Sequence, residues 1–315
     1  MIQSRTKVII ISLQRLLFLI GLWILGFFVF SLELWAGGAY PYRFPDSKLS
    51  LDPKADTVIG ILGEYTIKEK DTLLDVARDN DLGFNEMESL YPDIDPWVPP
   101  RGMKLVIPSQ WILPQTRKYG LVINIAEMRL YYFLKSIGMV RTYPIGIGDH
   151  GWFSPEGTFW VKEKRKKPAW YIPESLQEKY QMKVMPPGPD NPLGDYWLGL
   201  SIAGYGIHGT NFPWAIGRLV THGCIRLYPE DIEKLFPLVR VKTPVEILYE
   251  PVKVGLKEGR IFMEVHPDVY QKIPDLKEYG TNKIRSSGLA EKVNQELMLE
   301  ALEKKQGIPV DITQN

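Results

Sequence analysis

The stretch GLVINIAEMRLYYFLKSIGMVRTYPIGIG, residues 120–148, alternates and breaks as strand, turn, strand, turn, strand. Val122, Ile123 and Ile125 lead in, Ala126 and Glu127 turn, and Leu130 to Phe133 return. FSPEGTFWV (153–161) repeats the pattern, a Pro/Gly turn feeding a strand. PVEILY (244–249) is expected to be the last core strand of this unit. With 25 Pro and 27 Gly in 315 residues, short strands and many turns are favoured over long helices. PEDIEKLFPLV (229–239), with Pro229 in a first-turn position, is the clearest helix. Residues 117–250 are thus expected to form a mostly β domain.

The flanks differ. Arg5, Lys7 and Arg15 precede an uncharged run, Leu16 to Ser31, and small residues follow at Ala36 to Ala39. That order marks residues 1–39 as a secretory signal or an uncleaved membrane anchor; the run is slightly longer than a typical signal core and shorter than the ~20 residues of a membrane span. Export places the rest outside the cytoplasm. Residues 40–57, rich in Pro and charge, read as a linker. Residues 58–110 read as strand, short helices, strand, with Asp71 as helix N-cap and Leu73, Leu74, Val76 and Ala77 as an apolar stripe. Five basic residues between Lys162 and Lys167 read as a solvated loop. Residues 251–315 read as a hairpin turning at Gly259, then an amphipathic helix over 288–309. The net charge of +1 gives no electrostatic case for nucleic acid.

Cys224 is the only cysteine, so an intrachain disulfide is excluded. It lies in THGCIRL, with His222 two residues before and Arg226 two after. On an extended chain those three side chains share a face. A second histidine, His208 in YGIHGTNF, precedes Cys224 by a loop long enough to return to the same edge. A nucleophilic thiol needs a base and oxyanion donors, and this neighbourhood has material for each. The bland alternative is a small buried hydrophobe with polar neighbours. The spacing offers no compact zinc-ligand pattern, and His150 and His266 read as structural or surface residues.

HGT, a loop, then Thr221-His222-Gly223-Cys224-Ile225-Arg226 resembles the signature of the L,D-transpeptidases, the YkuD-type catalytic domain. Arg226 stands where asparagine is commoner, and Ser154 in SPEGTF where threonine is more usual. YTIKEKDTLLDVA and PPRGMKLVIP resemble the opening and closing of a LysM module, with Lys70 where such modules usually have glycine. The order of units is similar to the Gram-negative periplasmic branch. The resemblance implies a mainly β fold: a YkuD-type β-sandwich catalytic domain after a small α/β LysM-like domain, with an N-terminal signal or anchor helix and a C-terminal helical tail.

It also implies roles. Cys224 matches the nucleophile and His208 its general base, oriented by the carbonyl of Gly209. Thr221, His222, Gly223 and Arg226 match residues that shape the site, with backbone N–H groups around Gly223 and Cys224 as oxyanion-hole candidates. The implied reaction is acyl transfer from the third residue of a peptidoglycan tetrapeptide stem, with release of D-alanine. The acceptor is an amine of a second stem, a lysine of a wall-attached outer-membrane protein, or water. A carboxypeptidase and a non-catalytic wall anchor stay open as alternatives. No cofactor and no metal are implied. The implied partners are stem peptides and glycan, plus the membrane if the N-terminal segment is retained. The LysM-like unit is either a glycan binder or a spacer.

Overall fold

The computed structural model describes residues 38–42, 56–116 and 119–314. The signal or anchor expected over 1–39 and most of the 40–57 linker lie outside the described residues. Among the described residues no helix is long and apolar enough to cross a membrane.

Residues 58–112 form two small antiparallel ladders around two helices. β1 (Val58–Gly60) pairs with β4 (Gln110–Ile112), and β2 (Gly63–Thr66) with β3 (Lys104–Ile107). Helix α1 (Leu73–Asp79) buries Leu73, Leu74, Val76 and Ala77, the stripe expected from their spacing. Its N-cap is Thr72, which accepts the Asp75 N–H at 3.0 Å, and not Asp71. Asp71 instead accepts from the Lys68 amide and the Tyr65 hydroxyl, closing the preceding turn. Lys70, in that turn, takes a φ of 72°, the left-handed region that glycine tolerates best. Helix α2 (Phe84–Leu90) follows.

The large sheet is built from β5 (Gly120–Asn124), β6 (Arg129–Leu134) and β7 (Met139–Pro144), the three strands read from the 120–148 alternation. The short strand β8 (Ile147–Gly148) follows. β9 (Gly157–Lys166) pairs along its first half with β16 (Pro244–Leu248) and along its second with β12 (Tyr196–Leu200), with a bulge between Val161 and Glu163. The bulge curls one strand across two halves of the sheet. β16 runs parallel to β5, which makes it a central strand. On the other half, β12 pairs with β13 (Gly206–His208), and β13 runs parallel to β15 (Ile225–Arg226).

Leu121, Ile123 and Leu130 from one half meet Leu198, Ile207 and Ile225 from the other in one core. Helix α4 (Pro229–Leu235) closes it with Ile232 and Leu235. The basic run lies in β9 and is not a loop. Alternation lets Lys164 point inward, where its ammonium meets the Phe236 and Val239 carbonyls.

The last region begins with the expected hairpin, β17 (Val252–Lys257) and β18 (Arg260–Val265). The single helix expected over 288–309 is shorter: α6 spans Gln295–Lys304, started by the Asn294 side chain. A helix not read from the sequence, α5 (Leu276–Ser287), lies before it. Its sequence is largely polar, and its contact with α6 depends on Gly280, where a Cβ would meet Leu302 at 2.4 Å. Ile284, Met298 and Leu302 pack onto the hairpin in a second core.

Candidate active site

β13 ends at His208, and β15 begins one residue after Cys224. Because the two strands run parallel with His208 opposite Arg226, both side chains face the same side of the sheet. The intervening chain returns through β14 (Leu219–Thr221), which pairs with β8. The structure therefore brings His208, Thr221, His222, Cys224 and Arg226 to the wall of one cavity of about 260 Å³.

The roof is the segment from Pro168 to Pro192. It holds β10 (Trp170–Tyr171) paired with β11 (Val184–Met185), and helix α3 (Glu174–Tyr180) between them. Asn191, 1% exposed, ties both ends of this cap: its Nδ2 donates to the Pro168 carbonyl at 3.0 Å and the Pro186 carbonyl at 3.1 Å. Trp170 and Tyr171 of the cap line the cavity. Nothing in the sequence marks them, because their surroundings of turn residues give no periodic signal.

His222, Gly223 and Cys224 do not continue one extended strand. Gly223 has a φ of 96°, so the chain turns between β14 and β15 and the expected shared face is lost. A Cβ at Gly223 would meet the Tyr205 ring at 2.5 Å, so the turn requires glycine. Thr221 holds it: its hydroxyl donates to the Cys224 carbonyl at 2.7 Å and accepts the Gly223 N–H at 3.0 Å. The Gly223 amide is thereby engaged inside the turn, which removes it as an oxyanion donor. Among the described residues no acceptor takes the Cys224 N–H, which remains the candidate. His222 is turned onto the Trp152 ring, with centroids 4.8 Å apart.

His208 is buried and stacks on Trp197, its cross-strand partner, at 5.6 Å. Its Nδ1 lies 2.6 Å from the Gly209 carbonyl. A carbonyl only accepts, so Nδ1 carries the hydrogen and Nε2 keeps its lone pair. Burial, then the charge of Arg226, push the imidazole pKa down to about 3 against the pull of the Gly209 and Leu193 carbonyls. Burial pushes the Cys224 thiol up to about 11. The thiol points at the Gly204 carbonyl, 3.6 Å away. Both groups are thus neutral at neutral pH.

A second cluster of ionisable groups lies apart from this cavity. Glu127, Glu264 and His266 could supply metal ligands, but the Lys253 ammonium sits among them, 2.8 Å from Glu127 and 2.7 Å from Glu264. That ammonium supplies the positive charge, and the carboxylates raise its pKa against burial. His266 is buried here, whereas His150 is exposed.

Residues 118–247 match the model of the YkuD L,D-transpeptidase catalytic domain. An Escherichia coli K12 protein named "Probable L,D-transpeptidase YcfS" is 35% identical over 279 residues, covering 83% of this chain and 87% of that one. The chain belongs to the L,D-transpeptidase family. Within that family, "Probable L,D-transpeptidase ErfK/SrfK" of Salmonella typhimurium LT2 is 33% identical, covering 84% of this chain and 90% of its own. "Probable L,D-transpeptidase YbiS" of Escherichia coli K12 is 41% identical over 198 residues, covering 60% and 64%. The matches to YcfS and ErfK/SrfK extend well beyond the 118–247 domain.

Proposed function

We propose that this L,D-transpeptidase-family protein is an exported cysteine acyltransferase of peptidoglycan, with Cys224 as acyl carrier and His208 as its base. The observation that carries the reading is that one cavity is lined by both the Cys224 thiol and an imidazole whose Nδ1 is tied to Gly209, leaving Nε2 to accept a proton. His208 takes the thiol proton as sulfur bonds to the carbonyl between the third stem residue and the terminal D-alanine. The Cys224 amide receives the developing oxyanion. Collapse breaks the amide bond, and D-alanine leaves with the proton from His208. An acceptor amine then attacks the thioester, gives a proton to His208 and releases Cys224 as thiol. The bond energy of the broken amide is kept in the thioester, so no nucleotide is consumed. Thr221, Gly223 and Gly209 hold the turn and the imidazole.

The 58–112 unit is, in this reading, a LysM-like module, supported by the left-handed turn at Lys70, where such modules usually carry glycine. Whether glycan or spacing is its task separates on wall pull-down by that unit. Incubation of the protein with tetrapeptide muropeptides, with and without an added amine, tests the catalytic reading by mass spectrometry. The expected products are free D-alanine and a new amide to the amine. Hydrolysed stem alone would identify a carboxypeptidase. Full activity in Cys224→Ala, or no release of D-alanine, would refute the assignment.

A further inference from the structure

Two guanidinium groups line the cavity, and they differ in one respect. Arg165 is held by Glu163, with its Nη2 2.7 Å and its Nε 3.1 Å from Glu163 Oε2. Arg226 has no carboxylate partner among the described residues, and its Nε is a buried donor without an acceptor. Its backbone is nonetheless pinned. The Arg226 amide donates to the Gly146 carbonyl and the Gly146 amide to the Arg226 carbonyl, each at 2.9 Å. Its β15 register sets it beside His208. Burial lowers the proton affinity of the guanidinium, against only the smaller opposing pull of Cys224 and Tyr180, and no carboxylate offsets the cost. A guanidinium carried on a pinned backbone, lining the cavity with an unpartnered Nε donor, suits a planar anion in a two-point grip.

We propose that Arg226 is the anion-binding residue of the cavity, taking a carboxylate of the donor peptide beside the carbonyl that Cys224 attacks. The proposal rests on the peptide-donor reading above. Two carboxylates lie near that carbonyl: the terminal one of D-alanine, and the side-chain one of a diamino acid such as diaminopimelate. Seating either also neutralises the positive charge that opposes protonation of His208. The imidazole is a weak base before the donor binds and a stronger one once it is seated. Anion binding and base activation are then one event, which protects an exported thiol until substrate arrives.

Alkylation of Cys224 by anionic iodoacetate and neutral iodoacetamide, each normalised to N-acetylcysteine at the same pH, tests the subsite without any turnover. The full chain should favour iodoacetate, and Arg226→Gln should lose about tenfold of that preference, the scale of one charged hydrogen bond. Arg226→Lys should keep part of it. Because Arg226 has no ion-pair partner, both variants should melt near the wild type; if Arg226→Gln does not fold, the wild-type preference alone decides. Donors amidated at D-alanine or at the diamino acid then identify the carboxylate: one of them should raise wild-type KM about tenfold and leave Arg226→Gln unaffected. No iodoacetate preference in the wild type, or equal loss by the variant on acid and amidated donors, would overturn the proposal. Failure of every donor to react would instead remove the transpeptidase reading, while the alkylation ratio still judges Arg226.

Discussion

The hydroxyl of Tyr270 donates to the carbonyl of Gly148 at 2.7 Å, and the same oxygen accepts the Ser154 N–H at 3.2 Å. Gly148 is the β8 residue paired with Thr221, and the next amide, Asp149, donates to the Thr221 carbonyl at 2.9 Å. A residue after the 118–247 family match thus braces the strand beside the Cys224 turn. The braced loop carries Trp152, the wall of His222. Tyr270→Phe keeps the ring contacts to Tyr249 and Phe153 and removes only the hydroxyl. It should cost about 1–3 kcal/mol, because two backbone groups lose their partner. Acylation of Cys224 by donor peptide should slow several-fold, read as kcat at saturating donor. Unchanged kcat with lowered melting temperature would make Tyr270 structural only.

The pKa directions at His208 and Cys224 predict a thiol without an ion pair. With the imidazole near 3 and the thiol near 11, alkylation by iodoacetamide should climb with pH toward about 11 and show no plateau at neutral pH. The same depression acts on folding. Between the ordinary imidazole value of 6.5 and about 3 the unfolded chain binds a proton at His208 that the folded chain does not. Stability should therefore fall as pH drops below 6.5, with this share of the slope absent in His208→Asn. Urea unfolding on both sides of that pH measures it. A histidine NMR titration that places His208 in the folded protein near 6.5 would contradict both statements.

Asp231 behaves in the opposite sense. It sits in the first turn of α4, 2% exposed, with Oδ2 unpartnered and Lys234 3.8 Å from Oδ1. Burial, then the charge of Asp81, raise its pKa from 3.8 to about 7. Between those values the folded chain holds a proton that the unfolded chain has released, so stability falls as pH rises through this window. Asp231→Asn should raise the melting temperature above pH 7 and converge on the wild type below 3.8. Melting curves across that range check it; a variant less stable at every pH would show that the carboxyl makes an essential contact.

β5 to β7 were legible in sequence because short apolar runs bounded by turn residues mark buried strands, and β5 is buried at every position. The Cys224 turn was harder. His222 and Arg226 are both two residues from the sulfur, yet only the φ of Gly223 decides which shares its side. Tyr205 packs where a Cβ at Gly223 would lie, a tertiary contact that no local pattern reports. Asp71 and Thr72 are both good caps by residue type, and the choice falls to which one the turn at Lys68 already occupies. α5 was missed because a polar helix with one buried glycine has almost no stripe. The cap residues and Tyr270 were missed for a different reason: their part comes from tertiary placement over the cavity or beside β8.

Arg129 and Glu86 join the 58–112 unit to the large sheet. Arg129 of β6 is fully buried; its Nη2 donates to Glu86 of α2 at 2.6 Å, and its guanidinium lies 4.2 Å from the Trp111 ring centroid. Glu86 also accepts the Trp111 indole N–H at 2.9 Å and the Gly83 amide at 2.8 Å. Nearby, Gly217 has a φ of 79°, and a Cβ there would meet the Phe84 amide nitrogen at 2.3 Å, so the unit seats against the segment leading to β14. Removing one charge leaves the other buried and unpaired. Glu86→Gln and Arg129→Met should each cost about 3–5 kcal/mol in urea unfolding. The double variant should cost less than their sum, because neither charge is then stranded. Strict additivity would mean the two side chains stabilise the joint independently, through packing on Trp111 and the turn at Gly83, and that the ion pair contributes nothing beyond them.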